Sequence, residues 1–185
     1  MKSAIFLANG FEECEALITV DIFRRADLVV DMISIQQARE VCGSHGIHIM
    51  ADKALPEMDQ KEYDVLLLPG GKVGKENLEN NPDVKEAIIT QVQSDRWLGA
   101  ICAAPAILGH MGLLKGKKYT CFPTFDEAAF GGTYQEIAAV QDGKLVTGRG
   151  MGATMAFAYL LLKNFVDSAV LKQVAYGMQY SITKL

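Results

Sequence analysis

Residues 99–108 read Gly-Ala-Ile-Cys-Ala-Ala-Pro-Ala-Ile-Leu, an apolar run that stops at Cys102 and restarts in a helix-like pattern after small and rigid residues. A strand that hands over to a helix belongs to an α/β architecture, and the rest of the chain repeats the alternation. Ser3 to Ala8, Val29 to Ile35, Tyr63 to Leu68 and Trp97 to Ile101 are short runs dominated by apolar residues. Continuous runs of this kind are strands of a parallel sheet covered by helices on both faces. Helical patterns fall at about Cys14 to Arg25, after the cap signal Asn81-Pro82-Asp83, at Ala103 to Met111 closed by Gly112, and at Ala153 to Asn164 and Ser168 to Tyr176. Lys118 to Phe122 reads as another strand. Ile137 to Val140 and Leu145 to Thr147 flank Asp142-Gly143, a hairpin signal. The stretch from Val41 to Met50, broken by Gly43 and Gly46, reads as a hairpin lying off the main sheet. No repeat, low-complexity run or composition break divides the chain, so one domain over residues 1–185 is expected.

Half of the 185 residues are apolar, and 18 Lys plus Arg against 22 Asp plus Glu leave a net charge of −4. With no basic stripe on any element, this excludes a nucleic-acid partner. The apolar start is too short for a signal peptide, and the charge-free stretch from Gly150 to Leu162 is too short to span a bilayer. The expectation is a cytoplasmic protein without a membrane partner. Cys14, Cys42, Cys102 and Cys121 are scattered, form no CxxC pair and make no zinc-ligand spacing with the three histidines. In a reducing compartment they are thiols, each by default a small buried hydrophobe, and no metal is expected.

Ligands of open α/β sheets sit beyond the carboxyl ends of the strands. Three features collect there: the turn Gly10-Phe11-Glu12-Glu13-Cys14-Glu15, the turn Pro69-Gly70-Gly71, and Cys102. A cysteine on a strand-to-helix turn meets unpaired N–H groups and the positive end of a helix, which favour thiolate. Gly70-Gly71 lets backbone approach, so the N–H groups of Gly71 and Ala103 form a candidate oxyanion hole; alone, the same glycines would only turn the chain. Helix-dipole complementation accounts for one or two of Glu12, Glu13 and Glu15, and a further acid beside a cysteine is a candidate general acid and base.

Taken together, GAICAAP, LLLPGG, GFEECEA and GKLVTGRGMGAT resemble the ThiJ/PfpI superfamily, nearest the clade of bacterial YajL and the human parkinsonism-associated deglycase. The similarity runs over essentially the whole chain. It implies a flavodoxin-like three-layer sandwich with a mostly parallel sheet, akin to class I glutamine amidotransferases, and usually a homodimer. It also implies that Cys102 is the reactive cysteine, that Glu15 hydrogen-bonds it, and that Gly71 and Ala103 supply backbone donors. Ala103 stands where peptidase-like branches place a histidine, which disfavours a peptidase. Phe122 stands where some relatives carry a histidine, and His45 where relatives carry an arginine that reaches the partner subunit; with Gly70 they form the candidate site periphery. His48 and His110 read as structural. The implied activity is cofactor-independent: a glyoxalase or deglycase acting on small reactive carbonyl compounds or glycated amines and thiols. The alternative is a peroxide-sensing stress protein or holdase chaperone using the same cysteine.

Two further readings concern single elements. The first helix carries apolar residues at Ala16, Val20 and Phe23 and again at Ile18, Ile22 and Ala26, one face for the sheet and one for a second subunit. Gly148 to Ala153 fits G-x-G-x-x-A, but its acid, Asp167, precedes the final helix as a cap rather than ending a strand, so a nucleotide site is rejected. Those glycines are expected to allow tight packing beside Cys102.

Overall fold

The computed structural model describes residues 1–181. From the N-terminus run β1 (Lys2–Leu7), α1 (Glu13–Arg25), β2 (Val29–Ser34), the hairpin β3 (Glu40–Cys42) and β4 (His48–Met50), β5 (Lys53–Ala54) and β6 (Val65–Leu68). There follow α2 (Lys72–Asn80), α3 (Pro82–Gln93), β7 (Trp97–Ile101), α4 (Pro105–His110), β8 (Lys118–Tyr119) and β9 (Thr133–Tyr134). The hairpin β10 (Ala139–Asp142) and β11 (Leu145–Gly148), then α5 (Thr154–Leu162) and α6 (Ser168–Gly177), complete the order.

Seven strands form one sheet in the order β10-β11-β7-β6-β1-β2-β5, parallel throughout except for the antiparallel β10–β11 pair. Successive side chains of a strand point to opposite faces, and both faces are buried. Ile5 and Leu7 of β1 pack with Phe23 of α1 and with Phe157 and Leu161 of α5. Ala4 and Phe6 pack on the other side with Val84 and Ile88 of α3 and Ile107 of α4. Two cores separated by one sheet make the three-layer sandwich. No helix among the described residues is long and apolar enough to cross a membrane.

The β3–β4 hairpin lies outside the main sheet, and Asn81 caps α3 through Asp83 N and Val84 N with Pro82 in the first turn. Four features depart from the sequence pattern. Helix α2 occupies 72–80, where Gly74 and a polar run offer no periodic signal; Gly74 is needed there because a Cβ would lie 2.6 Å from Phe11 Cα. Helix α4 begins two residues later than expected because Cys102 takes φ +63° and Ala104 N turns back to Ile101 O. The expected strand at 118–122 shrinks to β8, paired with β9 in a separate two-stranded sheet. Its continuation braces the main sheet instead: Thr120 N donates to Thr147 Oγ1 and Phe122 N to Cys102 O. On α1, Ile22 and Ala26 are buried in the chain's own core, so the second apolar face reduces to half-buried Leu17 and Ile18.

Candidate active site

Cys102 sits between β7 and α4 in the left-handed backbone region that non-glycine residues avoid. The neighbouring segments hold it there. Its N–H donates to Gly148 O at 2.9 Å and its carbonyl accepts from Phe122 N at 2.8 Å. Gly148 stays a glycine because a Cβ would lie 2.8 Å from the Ile101 side chain. The elbow lifts the thiol off the strand and leaves it half-buried.

Glu15, on the first turn of α1, is 1% exposed and faces the elbow. Its Oε2 accepts from Gly70 N at 2.7 Å, and the carboxyl lies near enough to the Cys102 thiol for each to shift the other's ionisation. Among the described residues Oε1, also buried, has no hydrogen-bond partner. Gly70 is wedged between acid and thiol: a Cβ would lie 2.6 Å from Cys102 Cβ, 2.7 Å from Glu15 Oε2 and 3.1 Å from Ala103 N. The N–H groups of Gly71, at φ +85°, and of Ala103 lie close enough to the sulfur to favour its ionised form.

The thiolate-favouring backbone amides are present but outweighed. Burial first, and then the Glu15 carboxylate, push the Cys102 thiol up to about 12, against the smaller opposing effect of the two amides. Helix α4 has only 6 residues and starts at Pro105, so its dipole adds little at the sulfur. Burial likewise lifts Glu15 to about 7, with the Glu12 charge adding to it. Each group is harder to ionise while the other is charged. Below about pH 7 both groups carry their protons; above it, and up to about 12, the pair holds a single proton between sulfur and carboxyl. A thiolate arises in it when that proton sits on Glu15.

The peripheral candidates part company. Phe122, 45% exposed, forms a wall of an open 650 Å³ cavity with Ile137, Arg149 and Met151, joined to the elbow by its own N–H. His45 lies on the hairpin loop and binds Glu13, not Glu15 or Cys102: Nδ1 meets Glu13 Oε2 at 2.8 Å and its N–H donates to Oε1 at 2.6 Å. Ser44 Oγ adds a third donor, and these bonds hold the buried Glu13 carboxylate down to about 2 although burial alone would raise it. Helix-dipole reasoning alone does not separate the roles of Glu12, Glu13 and Glu15, although the GFEECEA resemblance points to Glu15; their partners separate them. His48 pairs with Glu40, and His110 lies between Glu79 and Glu127, away from Cys102. Ligand atoms of Glu12, Glu13 and His45 come within 4.8 Å of one another, but Glu12 Oε2 already caps Glu15 N and both Glu13 oxygens are taken. Asp167 caps α6 through Ala169 N and Val170 N.

Over residues 1–164 the sequence matches the DJ-1/PfpI family. The chain belongs to that family. Among its DJ-1/PfpI relatives, Protein DJ-1 homolog B of Arabidopsis thaliana is 35% identical over 194 residues, covering 100% of this chain and 44% of the relative. The chain thus spans about half the length of that protein and of its homolog A, where it covers 48%. A Caenorhabditis elegans protein named glutathione-independent glyoxalase DJR-1.2 is 30% identical, with 88% of each chain covered. The crystal structure of a cysteine-to-alanine mutant of a DJ-1 superfamily protein from Salmonella typhimurium superimposes with a TM-score of 0.92 at 36% identity, covering 97% and 98% of the two chains. Toxoplasma gondii DJ-1, solved in an oxidized form, gives 0.89 at 28% identity with the same coverage.

Proposed function

We propose that this DJ-1/PfpI protein converts α-oxoaldehydes such as methylglyoxal, or their early adducts with amines and thiols, into 2-hydroxy acids through Cys102 and Glu15. The observation that carries the reading is the convergence on one sulfur of a carboxyl group poised near neutrality and two backbone N–H donors. The Cys102 proton passes to Glu15 as sulfur adds to the aldehyde carbon, and the new oxyanion rests on the Gly71 and Ala103 amides until Glu15 protonates it. Glu15, now a carboxylate, takes the proton from C1; the electron pair moves onto the C2 oxygen to give an enediolate, the C1 hydroxyl proton passes to that oxygen, and Glu15 delivers its proton to C2. C2 becomes a carbinol and C1 a thioester. Water cleaves the thioester, releasing the hydroxy acid and the thiol. The sum is one oxoaldehyde plus one water, with no external oxidant or reductant. The protein's own thiol occupies the place that glutathione would take, which fits the name of the Caenorhabditis elegans relative.

One carboxyl makes every proton transfer, because Phe122 supplies no imidazole, so turnover is modest. Formation of D-lactate from methylglyoxal should vanish in Cys102→Ser and fall by roughly 10²-fold or more in Glu15→Gln. Undiminished lactate from Cys102→Ser overturns the reading.

A second reading uses the same sulfur as a peroxide sensor. It is favoured by the oxidized state of the similar Toxoplasma gondii structure and by Cys102 being partly open while Cys121 is fully buried. The thiolate would attack one peroxide to give sulfenic acid and water, and a second to give sulfinic acid. After graded peroxide, mass spectrometry should find two added oxygens on Cys102 before Cys14, Cys42 or Cys121; equal modification of all four removes this reading. We further propose a homodimer built on α1, where Cys14 and Asp21 are exposed beside Leu17 and Ile18; a monomer in sedimentation equilibrium would contradict it.

A further inference from the structure

Three hydrogen bonds close a ring beside the reacting pair. Glu12 Oε2 accepts from Glu15 N at 2.7 Å, Glu15 Oε2 accepts from Gly70 N at 2.7 Å, and Gly70 O accepts from Glu12 N at 3.0 Å. Each link sets one variable of the site. The first pins the first turn of α1, hence the position of Glu15. The second fixes the rotation of the carboxyl, with one oxygen on Gly70 N. The third sets the plane of the Gly70–Gly71 peptide. In a trans peptide the C=O and N–H point in opposite directions, and no cis peptide is present among the described residues. With its carbonyl held by Glu12, this peptide points the Gly71 N–H the opposite way, where it favours the ionised Cys102 sulfur.

An ordinary helix cap explains only the first bond. The other two links require the β1–α1 and β6–α2 turns to touch. At Gly71 a Cβ would lie 2.3 Å from Gly10 O and 2.8 Å from Glu12 N, and Gly74 N donates to Gly10 O at 3.0 Å. Among the described residues no hydrogen bond joins the Glu12 side chain to the sulfur or to Ala103; it is spent on Glu15 N. We infer that Glu12 is a positioning residue: its side chain and its backbone N–H together hold the Glu15 carboxyl and the Gly71 amide in register with Cys102. This rests on Cys102 and Glu15 being the reacting pair. Two charged or titratable groups face Glu15: Cys102 from the elbow and Glu12 from its own turn. The Glu13 carboxylate is turned to the hairpin.

The test compares Glu12→Ala, Glu12→Gln and, as a control for loss of an N-cap elsewhere, Asp167→Ala. Two readouts are taken across pH: lactate formation, and alkylation of Cys102 by iodoacetamide followed by mass spectrometry. Glu12→Ala should lower kcat roughly tenfold with KM little changed and slow Cys102 alkylation at neutral pH. Glu12→Gln, whose amide oxygen still accepts from Glu15 N, should recover most of that loss. Because it lacks the charge, it should also move the acid limb of the kcat profile to lower pH. Asp167→Ala should lose thermal stability alone. The inference is overturned if Glu12→Ala matches wild type in both readouts. It is equally overturned if the variant's only defect is a loss of thermal stability like that of Asp167→Ala, with an unchanged pH profile. Should wild type alkylate as described yet make no lactate, the proposed activity fails while the alkylation comparison still decides the role of Glu12.

Discussion

Glu15 is a carboxylate stored where a carboxylate is unwelcome, and that has a thermodynamic signature. Its folded pKa, about 7, lies above the 4.5 of an ordinary glutamate. The native state therefore binds the proton more tightly than the unfolded chain does. The stability this confers is complete below about pH 4.5 and is lost as pH rises through 7. The loss approaches about 3 kcal/mol, from roughly 1.4 kcal/mol per unit of pKa difference. Glu15→Gln does not titrate, so its melting temperature should exceed that of wild type at pH 8 and match it near pH 4.5; calorimetry at the two values checks this. The opposite ordering would mean that the carboxylate is well solvated in the fold. Gly70 makes a second, sharper case. In Gly70→Ala the new methyl group falls between the Cys102 Cβ and Glu15 Oε2, so lactate formation and selective alkylation of Cys102 should both fall by roughly 10²-fold. The residue types of this site stand in plain view in the sequence. Their ionisation does not, because burial and the mutual repulsion of two acids depend on what surrounds them.

Turns, more than strands, decide how the elements meet. The caps are local: Asn81 Oδ1 accepts from Asp83 N at 2.9 Å and Val84 N at 3.2 Å, a pattern written in four consecutive residues. Asn81→Ala should cost about 1 kcal/mol in urea unfolding and leave the rate of Cys102 alkylation unchanged. The Asp142-Gly143 hairpin is equally local, with Gly143 at φ +61°. Helix α2 is different. Its sequence, KVGKENLEN, carries a glycine and few apolar residues, and it forms because Gly74 lets it pack directly on the backbone of Phe11 while Leu78 is fully buried. That is tertiary contact overriding propensity. The segment after β8 shows the converse, since its strand-like residues spend their N–H groups on Thr147 and on Cys102 rather than on a ladder.

Both cores bear on one sheet, so a void in either is felt at the strand ends. Phe157 of α5 is 2% exposed and reaches the ideal Cβ positions of both Gly99 on β7 and Gly148 on β11. Phe157→Ala should cost about 3–5 kcal/mol by denaturant unfolding; a cost below 1 kcal/mol would mean that the layer repacks freely. The variant should also loosen the Gly148 carbonyl that holds Cys102 N. Alternation of apolar runs, glycine and proline punctuation and caps act within a few residues of themselves, which is why the order of strands and helices, the parallel sheet and the family motifs are legible in the chain. Proton affinity, the direction of a peptide N–H and the choice of partner among three neighbouring glutamates act across 30 to 60 residues of separation, as in the contacts of Glu13 with His45 and of Glu15 with Gly70. Those were decided only when folding brought the strand ends together, because electrostatic and hydrogen-bond energies depend on distance and dielectric, which position along the chain does not set for residues 30 to 60 apart.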